Sequence, residues 1–136
     1  MRIIGIDYGD ARIGLAVSDP LGITAQGLAT IKNKGELKTL AELKKVIDEY
    51  APEKIVIGLP KNMDGSLGFR ADATYAFAEA LKTVYDGEIV FWDERLTTVG
   101  ATRYLNETNT VKSARKNVID TLSACLILEG YMQKNG

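Results

Sequence analysis

The sequence predicts an α/β fold: a five-stranded mixed sheet in the order 3-2-1-4-5, with helices on both faces. Three observations lead to it. Three β-type runs open the chain, at residues 2–8, 12–18 and 24–31, joined by short polar or glycine-bearing loops. Sequential strands with such short connections form an antiparallel meander. From residue 36 onward, helix-period segments alternate with two continuous apolar runs, residues 53–60 and 88–94. Those runs show no polar alternation, which marks strands buried on both faces, and a right-handed crossover makes them parallel neighbours. Finally, the 136 residues contain no internal repeat, low-complexity tract or linker, so a single domain over residues 1–136 is expected.

Each element has a local reason. Gly9-Asp10-Ala11 suits the turn of a hairpin between the first two strands. Gly22 precedes the third strand, and Lys32-Asn33-Lys34-Gly35 follows it. Leu40, Leu43, Ile47 and Tyr50 recur at three- and four-residue steps, predicting a helix over 36–50 that Pro52 ends. A second helix over 69–84 would bury Phe69, Ala73, Ala76, Phe77, Ala80, Leu81 and Val84. Residues 97–106 read as a short helix. A last helix over 116–133 carries Ala124, Ile127, Leu128 and Tyr131 on one face. Cys125, Trp92 and Tyr131 read as core residues.

Composition excludes several kinds of chemistry. The chain has no histidine and one cysteine, so Ser-His and Cys-His catalysis, His-ligated zinc and an intrachain disulfide all fall away. With 17 basic and 18 acidic residues the net charge is −1, unlike a dedicated nucleic-acid coating protein. A local basic patch is nonetheless present in Lys112, Arg115 and Lys116. The chain is too short for a two-lobed kinase. It has no apolar run of transmembrane length, and its opening reads as a strand rather than a leader. A reducing, cytoplasmic location without membrane contact is expected.

In open α/β sheets ligands bind outside the carboxyl ends of the strands. Acids gather there. Asp7 ends the first strand, Asp93 and Glu94 end the last, and Asp120 precedes the inward face of the final helix. Strands one and five lie two places apart, about 10 Å between backbones. A bridging cation would relieve the repulsion between carboxylates brought so close. Oxygen ligands without His or Cys select Mg²⁺ or Mn²⁺. Plainer roles stand beside these: Asp7 as a turn residue, Asp120 as a helix N-cap stapled by Val118 and Ile119, and Glu94 as a surface partner of Arg95 or Lys61.

Four segments in order, IIGIDYGDARIGLAVSD (3–19), KIVIGLPKNMDGS (54–66), FWDERLTT (91–98) and IDTLSACLILEGYM (119–132), resemble the YqgF/RuvX family of pre-16S rRNA nucleases, also described as Holliday junction resolvases. The likeness runs nearly end to end. It implies an RNase H-like fold and a divalent-metal nuclease. Its three acids fall on Asp7, Glu94 and Asp120, as metal ligands and catalytic residues. Relatives with paired alanines after the last acid contrast with Ser123-Ala124 here.

On this reading Mg²⁺ or Mn²⁺ on the three acids activates water for phosphodiester hydrolysis. Arg12, Arg95, Lys112, Arg115 and Lys116 are the candidates to hold flanking phosphates. Thr97 and Thr98 would cap a helix or donate to phosphate. The implied partner is nucleic acid, pre-rRNA ahead of branched DNA, bound by a monomer or homodimer. The rivals are Holliday junction resolution, a non-catalytic nucleic-acid-binding module of the same fold, and an actin-like ATPase fragment suggested by Asp7-Tyr8-Gly9. The last would need a second phosphate loop, which the chain lacks.

Overall fold

The structure, a computed structural model, describes residues 2–60, 68–94 and 113–135; for residues 69, 113–121 and 135 it describes the backbone alone. The hairpin expected from Gly9 forms between β1 (Ile3–Tyr8) and β2 (Arg12–Ser18), which pair antiparallel with Asp7 opposite Gly14. The third run divides into β3 (Ala25–Gly27) and β4 (Ile31–Lys32), both antiparallel to β2. The register on β2 shifts by one residue between them, from Gly27 opposite Ala16 to Ile31 opposite Ile13, so the run keeps to one edge of β2 with an extra residue in the break. Asn33 anchors the end of β4. Its backbone N–H donates to Ala11 O at 2.9 Å, and its side-chain amide donates to Gly9 O and to the Tyr8 hydroxyl, both at 3.2 Å. The end of β4 is thereby tied to the hairpin end.

Helix α1 (Glu36–Tyr50) has the predicted bounds and buries Thr39, Leu40, Leu43 and Ile47. Ala51 closes it in the left-handed region, its N–H donating to Ile47 O at 2.7 Å. β5 (Lys54–Leu59) then runs parallel to β1, and α2 (Phe69–Leu81) returns the chain to β6 (Glu88–Asp93), parallel to β5. The last helix, α3, spans Ser113–Asn135. The sheet has six strands, with the path β3-β2-β1-β5-β6 and β4 beside β2. The predicted order holds, and the extra strand comes from the division of the third. The predicted helix at 97–106 lies outside the described residues.

Two expectations about helices are corrected. In α2 the buried residues are Ala71, Thr74, Phe77, Ala78 and Leu81. Ala73, Ala76 and Ala80 instead line a cleft of about 240 Å³ between α1 and α2, floored by Tyr8 and Phe77, whose rings stack at 4.4 Å. Alanine occurs on several sides of this helix, so its sequence defined the buried stripe poorly. The final helix starts at Ser113, three residues earlier than the sequence suggested.

The sheet is covered differently on its two faces. Helices α1 and α2 pack on Ile4, Ile6, Ile13, Leu15, Ile55 and Ile57. Helix α3 packs on Ala16, Val56 and Trp92 through Ala124, Ile127, Leu128 and Tyr131, with Cys125 half-buried at its border. At the far end of α3 the Tyr131 hydroxyl accepts from Lys54 Nζ at 2.8 Å. That bond, with the Glu88 carboxylate at 3.4 Å, holds the lysine above its ordinary pKa. Among the described residues no helix is long and apolar enough to cross a membrane.

Candidate active site

The site is built from the pleat of β1. Successive residues point to opposite faces, so Ile4 and Ile6 enter the α1/α2 core while Gly5 and Asp7 face α3. Gly5 sets how closely α3 approaches: a Cβ there would stand 2.8 Å from Leu128 Cβ and 3.0 Å from Ala124 O. Lys54, which bonds Tyr131, lies at the start of β5. Helix α3 therefore runs against β1, its N-terminal half toward the carboxyl ends of the parallel strands.

Asp120 lies one helical turn before Ala124, about 6 Å along the axis. Asp7 lies two residues beyond Gly5, about 6.6 Å along the strand. The two steps run the same way, so the backbone at Asp120 is brought alongside that at Asp7. Asp120 is seven residues inside α3, which removes the N-cap alternative.

Asp7 is 2% exposed within β1, and Glu94 is 3% exposed where the chain leaves β6 in a 3₁₀ turn. Asp7 is thus a residue of the strand rather than of the turn, and Glu94 does not lie on the surface. Between their strands runs β5. Its register pairs Ile57 with Ile6 and Gly58 with Trp92, so Asp7 follows at the level of Gly58. The Glu94 side chain folds back over that glycine, with Oε1 only 2.7 Å from where a Gly58 Cβ would stand. Neighbouring strands are about 4.8 Å apart. The Glu94 carboxylate thus lies over β5, the strand between its own and that of Asp7.

Two carboxylates buried at one end of the sheet are costly to desolvate, and a cation offsets part of that cost. Hard oxygen donors over a cradle that a Cβ would fill fit a small divalent cation such as Mg²⁺ or Mn²⁺. Arg12 begins β2, two residues before Gly14, and by strand alternation shares the face of Asp7. Arg115 and Lys116 lie in the first turn of α3, at the same end of the sheet. Arg95, Lys112, Thr97, Thr98 and Lys61 lie outside the described residues.

Sequence reasoning noted Gly58 only as the end of a strand. The signal was available: a glycine inside the β-branched run Ile55-Val56-Ile57 marks a place where another group comes close.

The family described as "RuvX: Holliday junction resolvase" matches residues 1–134. The chain belongs to this family. A member from Ruminiclostridium cellulolyticum, named "Putative pre-16S rRNA nuclease", is 50% identical over 135 residues, covering 98% of this chain and 95% of the relative. One of the same name from Clostridium botulinum strain Hall is 49% identical over 132 residues, covering 97% and 96%. Among solved structures, Thermus thermophilus RuvC in complex with a Holliday junction substrate superposes with a TM-score of 0.62 at 15% identity, covering 98% of this chain and 96% of that one. The Fowlpox virus resolvase bound to Holliday junction DNA gives 0.55 at 12% identity, covering 98% of each chain. These likenesses establish the RNase H-like fold of the RuvX family for this chain.

Proposed function

We propose that this chain is a divalent-metal-dependent nuclease that hydrolyses phosphodiester bonds in nucleic acid, with the 5′ end of pre-16S rRNA as its substrate. One observation supports the chemistry: Asp7 and Glu94 are both buried at the carboxyl ends of the parallel strands, with the Glu94 carboxylate lying over Gly58 of the strand between them. The rRNA assignment is supported by relatives about half identical over nearly their whole length. One nuclease unit spanning residues 1–136, acting in the cytoplasm, completes the reading.

In the mechanism Asp7, Glu94 and Asp120 would hold Mg²⁺ or Mn²⁺. When bound, the cation lowers the pKa of water and neutralises charge on the phosphate in the transition state. Asp7 contributes a carboxylate fixed by the sheet, because β1 is paired on both sides. Glu94 contributes one whose path across β5 is fixed by packing. Asp120, on the long helix packed against Gly5, would contribute the third. The surroundings are apolar, with Ile127 and Trp92 beside the carboxylates. Such walls limit water and strengthen the field of the acids on a bound phosphate. Arg12, Arg95, Lys112, Arg115 and Lys116 bind flanking phosphates and set the register of the strand.

The test incubates the protein and Mg²⁺ with 5′-extended 16S precursor RNA, a four-way DNA junction and ATP in parallel, with and without chelator. Cleavage of the RNA alone, abolished by chelator, is expected. Preferential cleavage of the junction would move the substrate to branched DNA, and hydrolysis of ATP alone would overturn the reading. Replacing Lys112, Arg115 and Lys116 together with Ala should weaken RNA binding and reduce its salt slope by roughly 2 to 3. An unchanged slope would remove the basic segment from the substrate path.

A further inference from the structure

Gly58 has no conformational reason to be glycine. Its backbone is ordinary strand, and the positive-φ glycines among the described residues are Gly22 and Gly35. A glycine within a strand weakens it, since it packs nothing and loses more chain entropy on folding than any other residue. What Gly58 provides is space. A Cβ at this position would run into Ile127 Cδ1 and would stand 2.7 Å from Glu94 Oε1 and 3.1 Å from Glu94 Cγ. The volume that every other amino acid fills is here filled by Ile127 and the Glu94 carboxylate.

We propose that Gly58 is a positioning residue for catalysis: by lacking a side chain it lets the Glu94 carboxylate cross β5 and share a divalent cation with Asp7. The inference rests on the metal-nuclease reading above and adds a residue to it. Its size can be reasoned. Ordinary contacts begin near 3.4 Å, so a methyl group at Gly58 would displace Oε1 from its 2.7 Å position by about 0.7 Å or more. Metal–oxygen distances tolerate only about 0.2 Å. The displacement exceeds the tolerance, and it pushes the oxygen off β5. The colliding atoms are the far ends of two flexible side chains, not backbone. The fold can therefore absorb Ala at 58 by turning Glu94 and Ile127 aside, and the damage falls on the position of the carboxylate.

The experiment compares wild type, Gly58→Ala and the double variant Gly58→Ala/Ile127→Val. Valine removes the Cδ1 collision and leaves the Glu94 collision in place. Three readouts are taken: thermal melting without metal, MnCl₂ affinity by calorimetry and by fluorescence of Trp92, the chain's single tryptophan, and RNA cleavage. Gly58→Ala should melt within a few degrees of wild type, yet bind Mn²⁺ and cleave roughly 10- to 100-fold less well, the range typical of lost support around a metal ligand. The double variant should recover melting temperature and neither Mn²⁺ affinity nor cleavage. Wild-type Mn²⁺ affinity in Gly58→Ala, or its recovery in the double variant, would overturn the proposal. So would failure of both variants to fold, since the proposal requires the colliding side chains to yield. Asp7→Asn and Glu94→Gln serve as controls. If they too leave Mn²⁺ affinity unchanged, the metal reading itself has failed; if they abolish it while Gly58→Ala does not, only the role of Gly58 is lost.

Discussion

The two faces of the sheet are made by the same strands and could hardly be less alike. Toward α1 and α2, β1 presents Ile4 and Ile6, β2 presents Ile13 and Leu15, and β5 presents Ile55 and Ile57, each at most 1% exposed. Toward α3 the same strands present Gly5 and Asp7, Gly14 and Ala16, Val56 and Gly58. One face is filled with branched aliphatic bulk, each side chain contributing about 1.5–3 kcal/mol on burial. The other gives up bulk so that a helix can approach and carboxylates can lie down between strands. The period of two along a strand keeps stability and chemistry on separate faces although they are one residue apart in sequence.

This division can be broken most sharply at neighbours of opposite duty. Asp7→Asn should reduce cleavage by more than about a hundredfold, as loss of a group in a cooperating set does. Its melting temperature should stay level or rise, because repulsion with Glu94 is relieved. An Asp7→Asn protein that keeps its activity would dissolve the division altogether.

Ile57→Ala, one residue from Gly58, should behave in reverse. The cavity left in the α1/α2 core should cost about 2–5 kcal/mol, measurable by denaturant unfolding. The protein that remains folded should cleave at about the wild-type rate per molecule. A large loss of rate at full folding would mean that the two faces are coupled.

Asn33→Ala sharpens the comparison at the hairpin end, where it ties β4 to Gly9 and the Tyr8 hydroxyl. Loss of these bonds should cost about 1–2 kcal/mol in unfolding free energy. A smaller effect on cleavage is expected, through the strand end that carries Asp7. No change in stability would show that the backbone bond from Asn33 to Ala11 suffices.

The smallest effect is expected at the opposite end of the sheet, in the β2–β3 connection. Backbone N–H groups of Thr24 first, then Ile23, donate to the Asp19 carboxylate and hold its pKa below the ordinary aspartate value. A depressed folded pKa means that the contribution is present above the unfolded pKa and is lost as pH falls through the folded one. Asp19→Ala should therefore lower the melting temperature slightly near neutral pH, and the difference from wild type should vanish in strong acid. A difference that grows on acidification would contradict the assigned cause.

Much of this molecule was legible in its residues. The order of elements, the central place of the first strand, the bounds of α1 and the gathering of acids at strand ends all follow from hydrophobic period and turn chemistry, which act between residues close in sequence. Tertiary structure decided the rest, because the deciding contacts join residues far apart. The third strand divides at a one-residue shift of register on β2, and Asn33 ties the end of β4 to Gly9 and Ala11, across the hairpin end. Asp120 sits inside a helix rather than at its start because α3 begins at Ser113, and alternate N-terminal signals in one stretch cannot be ranked from the stretch alone. Asp7 and Glu94 are 87 positions apart in the chain. The strand between them carries no side chain at Gly58, where Glu94 and Ile127 lie, and the need for that empty volume arises only when β1, β5, β6 and α3 are packed together.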